Sequence, residues 1–155
     1  MQLLRAWRGW WVMDASLLSH PVVPVAGEKD SHATLEALLP YLPDESRLTI
    51  VHVVEKAGGA PDKASVEQRE EYAEEAFEVA REKCAEAGVD CETKLAYGRN
   101  VSKAIFDTAK EIDATAVAFV PREGSRLLRF ITGDTTLDLV TEAELPVIAL
   151  PGGDE

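Results

Sequence analysis

Five apolar runs alternate with helical stretches along this chain, and that order leaves few folds open. The clearest run is Leu48–Val54, LTIVHVV, which is apolar and β-branched at nearly every position. A strand with one wet face would alternate, so a continuous run predicts burial on both faces. Val22–Ala26 and Thr115–Val120 read the same way, and Pro146–Leu150 is a shorter apolar run. Cys91–Ala96 is less hydrophobic and is expected nearer an edge. Between the first two runs, Asp30 or Ser31 is placed to cap a helix with Leu35, Leu38, Leu39 and Leu42 on one face, and Pro40 and Pro43 end or kink it. Glu55–Lys63 reads as a loop. Ser65–Ala87 is the longest helix, with Ala73, Phe77, Ala80, Cys84 and Ala87 as its buried stripe and Gly88 as its stop. Val101, Ala104, Ile105, Thr108 and Ile112 mark a third helix, and Asp134–Glu144 a short fourth. Strand and helix in strict alternation predict an α/β fold: a single-domain, open, parallel five-stranded sheet, doubly wound, with helices on both faces.

In such a sheet the ligand sits beyond the carboxyl ends of the strands, where the winding reverses. The ends concerned are Ala26 and Gly27, Val53 and Val54, and Val120 onward. The stretch Ala118–Pro151 runs from a strand through a glycine-containing basic loop into a helix. That arrangement presents backbone N–H groups to a phosphate. Together with Pro21–Gly27, PVVPVAG, it predicts a nucleotide-sized crevice between the first and fourth strands.

The charge balance narrows the partners. With 28 acidic and 16 basic residues the formal net charge is −12. This excludes general nucleic-acid binding, which needs Lys and Arg against phosphates. Eight glutamates between Glu67 and Glu86 cover one face of the long helix. A surface of this kind suits a cytoplasm of high salt, where self-repulsion is screened, so a halophilic host is expected. Cys84 and Cys91 are too few for a disulfide scaffold and lack zinc spacing, which fits a reducing compartment. No apolar run reaches the ~20 residues that span a membrane. Residues 1–13 hold all three tryptophans and two arginines, and are read as an atypical extension ahead of Met13. Residues 20–151 then form the domain and 152–155 a tail.

In this order and spacing, PVVPVAG, LTIVHVVE, AYGRNVSKAIFDTAKEIDATAVAFVP and ELPVIALP resemble the universal stress protein family over roughly Pro21–Pro151. The resemblance implies a stress-response protein, a homodimer paired through Pro146–Leu150, and a site for ATP or a related adenine nucleotide. Nucleotide-binding members carry glycine, two residues, glycine, nine residues, glycine, then Ser or Thr. Here Pro121 stands at the first glycine, Gly124 at the second and Gly133 at the third, with eight residues between the last two. Asp134 stands at the Ser/Thr position, followed by Thr135 and Thr136, and Ala26 replaces the family's Asp at the end of the first strand. A proline removes a backbone donor. A carboxylate repels a phosphate by about 1–4 kcal/mol at roughly 4 Å. Arg122, Arg126 and Arg129 form a cluster that can hold phosphates from side chains instead. The resemblance therefore implies weak or altered nucleotide binding by Pro24, Val25, Ala26, Val53, Val120, Gly124, Ser125, Arg126, Gly133, Asp134, Thr135 and Thr136. The alternative is a nucleotide-free, dimeric interaction protein whose crevice is closed by side chains. His20, His32 and His52 have no carboxylate or serine at telling spacing, so neither a catalytic set nor a metal site is expected. His52 reads as a satisfied core residue.

Overall fold

The computed structural model describes residues 17–55, 63–121 and 135–151. The expected extension at 1–13, most of the loop before the long helix, the segment 122–134 and the tail lie outside the described residues. The chain runs β1 (Pro21–Pro24), α1 (Glu28–Leu38), a 3₁₀ turn (Leu39–Tyr41), β2 (Arg47–Glu55), α2 (Lys63–Ala87) and β3 (Asp90–Gly98). It continues through α3 (Val101–Glu111), β4 (Ala116–Phe119), α4 (Thr135–Thr141) and β5 (Val147–Ala149). All five strands are parallel, in the order β3-β2-β1-β4-β5. The open parallel α/β fold expected from the alternation is the fold observed.

Strand alternation sorts the core into two layers. Val22, Val51, Val53, Val117 and Phe119 face α3 and α4, where Ile105, Phe106, Ala109 and Leu139 meet them. Val23, Val25, Ile50, Ala118 and Val120 face α1 and α2, against Leu35, Leu38, Ala73, Phe77 and Ala80. Each fully buried Val, Leu, Ile or Phe contributes roughly 1.5–3 kcal/mol against exposure. β3 is an edge strand, half-buried along most of its length, as its composition foretold.

Three local readings need correction. α1 opens on Gly27 with no side-chain cap. Asp30, expected as a cap, turns back instead, and its Oδ2 accepts the Ala26 N–H at 2.8 Å. Ser31 donates to the Ala76 carbonyl at 2.9 Å and ties α1 to α2. Both side chains serve tertiary contacts, and these win over local capping. Ala87, expected in the buried stripe, is exposed on the final turn, and Ala76 is buried instead. Helix α4 ends at Thr141, before Glu144, and β5 spans three residues. Gly88 does stop α2, in the left-handed region at φ 72° that glycine adopts without strain.

Candidate ligand-binding site

Parallel strands put all their carboxyl ends at one edge, and the order places β1 beside β4. The chain winds outward from β1 to β2 and β3, then returns across β1 to β4 and β5. The winding thus reverses between β1 and β4, the two strands that the sequence singled out, and ligands of open α/β sheets lie beyond the strand tips at such a point. Pro24 closes β1 and lacks an N–H, so the next ladder bond comes from Val25, whose N–H reaches the Val51 carbonyl at 2.9 Å. Val25, Ala26, Val53 and Val120 are all buried, at 4 % exposure or less. Their side chains pack into the two layers, so what they present at the edge is main chain.

Thr135 and Thr136 open α4, which follows β4 and so begins at the same edge. Pro121 is exposed just beyond Val120. Gly124, Ser125, Arg126, Gly133 and Asp134 lie outside the described residues.

The β1 tip is built by three side chains from elsewhere. Asp30 holds the Ala26 N–H. His52, on β2, donates from Nδ1 to the Val25 carbonyl at 2.9 Å, the tautomer assigned from that acceptor. Tyr72, on α2, stands edge-on to the His52 ring, with centroids 6.3 Å apart. A Cβ placed on Gly27 would lie 2.3 Å from the Tyr72 hydroxyl. Gly27 has extended backbone that any residue adopts, so what a larger residue would cost there is displacement of the Tyr72 ring. Tyr72 keeps 38 % of its surface and leans over the strand end. The sequence reading missed it. Its signal is one aromatic set among the glutamates of REEYAEE.

The rim is polar. Arg69 donates to the Glu55 carbonyl at 2.7 Å, and the Tyr97 hydroxyl to Glu70 at 2.5 Å. Asn100 caps α3, its Oδ1 accepting from the Lys103 N–H at 3.0 Å and the Ser102 hydroxyl at 2.9 Å. Among the described residues no three His, Cys, Asp or Glu side chains converge as a metal site, and no helix is long and apolar enough to cross a membrane.

Burial holds His52 below its ordinary value of 6.5, against the opposing pull of its Val25 bond. His20 is lowered too, first by burial and then by Arg47. Both take up protons less readily when folded than when unfolded. Stability is therefore full above about pH 6.5 and falls as pH drops below it. Urea midpoints measured from pH 7.5 to 5.5 should decline, and His52→Asn, whose amide still donates, should flatten the decline. An equal slope in both proteins would remove His52 from the account.

The sequence profile of the universal stress protein family matches residues 20–151. Among curated proteins none matches the chain in sequence. Solved structures do match in fold. A universal stress family protein from Burkholderia pseudomallei is 24% identical, with TM-score 0.68, over 88% of this chain and 98% of that one. A universal stress protein from Archaeoglobus fulgidus, solved with dAMP, is 23% identical, with TM-score 0.55, over 86% and 99%. One from Arabidopsis thaliana, solved with AMP, is 20% identical, with TM-score 0.57, over 83% and 90%.

Proposed function

We infer what this protein does from one premise: the chain belongs to the universal stress protein family, a family of stress-response proteins. The reading is a regulatory protein, not a catalyst, that binds an adenine nucleotide in the crevice beyond β1 and β4 and works as a homodimer. The observation that carries it is the reversal of winding between β1 and β4, since ligands of open α/β sheets lie at that point. The relatives solved with dAMP and AMP support the choice of ligand.

Binding is altered relative to the family. Ala26 leaves no carboxylate of its own at the β1 tip, and the one nearby, from Asp30, is engaged by the Ala26 N–H. Pro121 and Asp134 weaken the backbone route to phosphate, which leaves the arginine cluster to carry it. A charge-assisted hydrogen bond is worth roughly 1.5–3 kcal/mol, so Arg126→Ala should weaken ATP binding about tenfold or more. Asp134→Ser should tighten it by removing a repulsive charge. Calorimetric titration of ATP into the three proteins is the test. Equal affinity in wild type and Arg126→Ala would end the compensation idea.

One observation favours a second reading, a nucleotide-free interaction protein. Tyr72 already fills the space over Gly27 where the β1 tip meets the crevice. Should neither wild type nor Asp134→Ser take up ATP, Tyr72→Ala is the deciding variant. Binding gained there identifies the tyrosine as the plug, and continued silence leaves the interaction protein.

A further inference from the structure

One face of the sheet turns polar at its amino-terminal edge. Register pairs Arg47 with Asp90, Leu48 with Cys91 and Thr49 with Glu92. Leu48 and Cys91 turn toward the layer under α1 and α2. By alternation Arg47, Thr49, Asp90 and Glu92 lie on the other face, the one that α3 covers further along at Val51 and Val53. These four residues and His20 line a cavity of about 210 Å³.

The sheet itself fixes the floor of this cavity. His20 Nε2 lies 3.1 Å from the hydroxyl of Thr49, which is buried. The His20 backbone N–H donates to the Thr115 hydroxyl at 3.1 Å, and the Thr115 N–H to the His20 carbonyl at 2.8 Å. The Arg47 N–H reaches the Ser19 carbonyl at 3.0 Å. The charges around this floor are not matched to one another. Among the described residues Arg47, Asp90 and Glu92 form no ion pair within 4.0 Å, although Arg47 and Asp90 are cross-strand partners. The next charge along the same face of β3 does pair, Lys94 with Glu111 at 3.3 Å. Burial disfavours the charged form of His20, Arg47 adds to this, and Glu92 and Asp113 oppose it, so these charges all bear on the imidazole in the cavity.

We propose that this cavity binds a small zwitterion, a free α-amino acid with a short neutral side chain. The Arg47 guanidinium, on β2, takes the carboxylate, which its planar fork matches. Asp90 and Glu92, on β3, take the ammonium. Neighbouring strands lie about 4.8 Å apart, so one small ligand reaches both charges. A simple anion meets two carboxylates here and a simple cation meets a guanidinium, so neither is matched as a zwitterion is. The cavity, at about 210 Å³, is below the roughly 300–1,000 Å³ of sites for drug-sized ligands, which leaves out a nucleotide. It lies at the edge of the sheet opposite the proposed nucleotide site and does not depend on that reading.

The test titrates L-alanine into the full-length, isotope-labelled protein in molar KCl and follows the backbone amides by NMR. Salt screens a contact pair inside a cavity less than charges in open solvent. Amides of residues 47–49 and 90–92 should shift together and saturate by roughly 10 mM. Propionate lacks the ammonium and ethylamine the carboxylate, and each should bind about tenfold or more weakly than L-alanine. Arg47→Gln and Glu92→Gln each remove one charge and should weaken L-alanine about tenfold or more, while the rest of the spectrum, which reports the fold, stays in place. Glu92 is exposed, so its variant decides the matter if Arg47→Gln is unstable. Shifts that grow without saturating, equal binding of propionate or ethylamine, or undiminished binding by Glu92→Gln would each overturn the proposal.

Discussion

Ile148→Lys is expected to turn a dimer into a folded monomer. β5 is the last strand of the sheet, so one side of its backbone ladder is unpaired among the described residues. Its residues Val147 and Ile148 are only half-buried. Beside it, α4 exposes Leu137 at 59 % and Val140 at 57 %, three positions apart and so on one face. An apolar edge flanked by an apolar helix face fits a second copy of itself. An ammonium trapped there is costly, and about 3 kcal/mol already weakens a dimer more than a hundredfold. Light scattering gives the mass and circular dichroism the fold. Ile148 also touches the core layer under α1 and α2. Val140→Lys changes an exposed residue and therefore serves as the cleaner partner test. A dimer that survives both changes lies elsewhere on the surface. Unfolding of the Ile148 variant beside an intact Val140→Lys dimer would confine Ile148 to core packing.

In dilute buffer the protein should lose its fold, and added salt should restore it. The net charge is −12, and of the eight glutamates on α2 only Glu70 is half-buried while the others are exposed. Arg81 pairs with Glu74 at 2.9 Å and Glu78 at 3.5 Å, and Lys83 with Glu36 at 2.6 Å. Exposed pairs of this kind contribute about 0–1 kcal/mol each and do not offset the remaining repulsion. The Debye length shrinks from about 30 Å at 0.01 M to about 3 Å at 1 M, which removes repulsion between neighbouring helix turns. Thermal melts followed by circular dichroism, from dilute buffer to molar KCl, should show a steep rise in Tm. A flat series would mean that the acidic surface does no more than solvate.

The sheet was legible because burial on two faces writes itself into consecutive residues. LTIVHVV can serve only as a central strand in a chain of this length, and it became β2. The reversal of winding between β1 and β4 was legible for the same reason, from the alternation of strands and helices. Side chains that cross between elements were not. Asp30 carries every local mark of a cap, yet it spends its carboxylate on Ala26, four residues back. Tyr72 meets Gly27 and His52 only because α2 folds across the strand ends. No spacing along the chain encodes that distance. Helix α4 came out shorter than its pattern, because Leu139 alone of its described residues is fully buried to hold it.

The two rims of the sheet differ in a way that limits growth. β3 is three times the length of β5 and, among the described residues, also has one free ladder side, which left bare would invite stacking into a filament. It carries Asp90, Glu92 and Lys94, and it is flanked by the Lys94–Glu111 pair and the Tyr97–Glu70 bond. Charges on that rim make it a poor template for another strand. Among the described strands β5 is the uncharged border, and a border that meets its own copy across a twofold axis is used up in the meeting. In the proposed dimer, assembly through the sheet would close at two copies, and the charged β3 rim opposes growth from the other side.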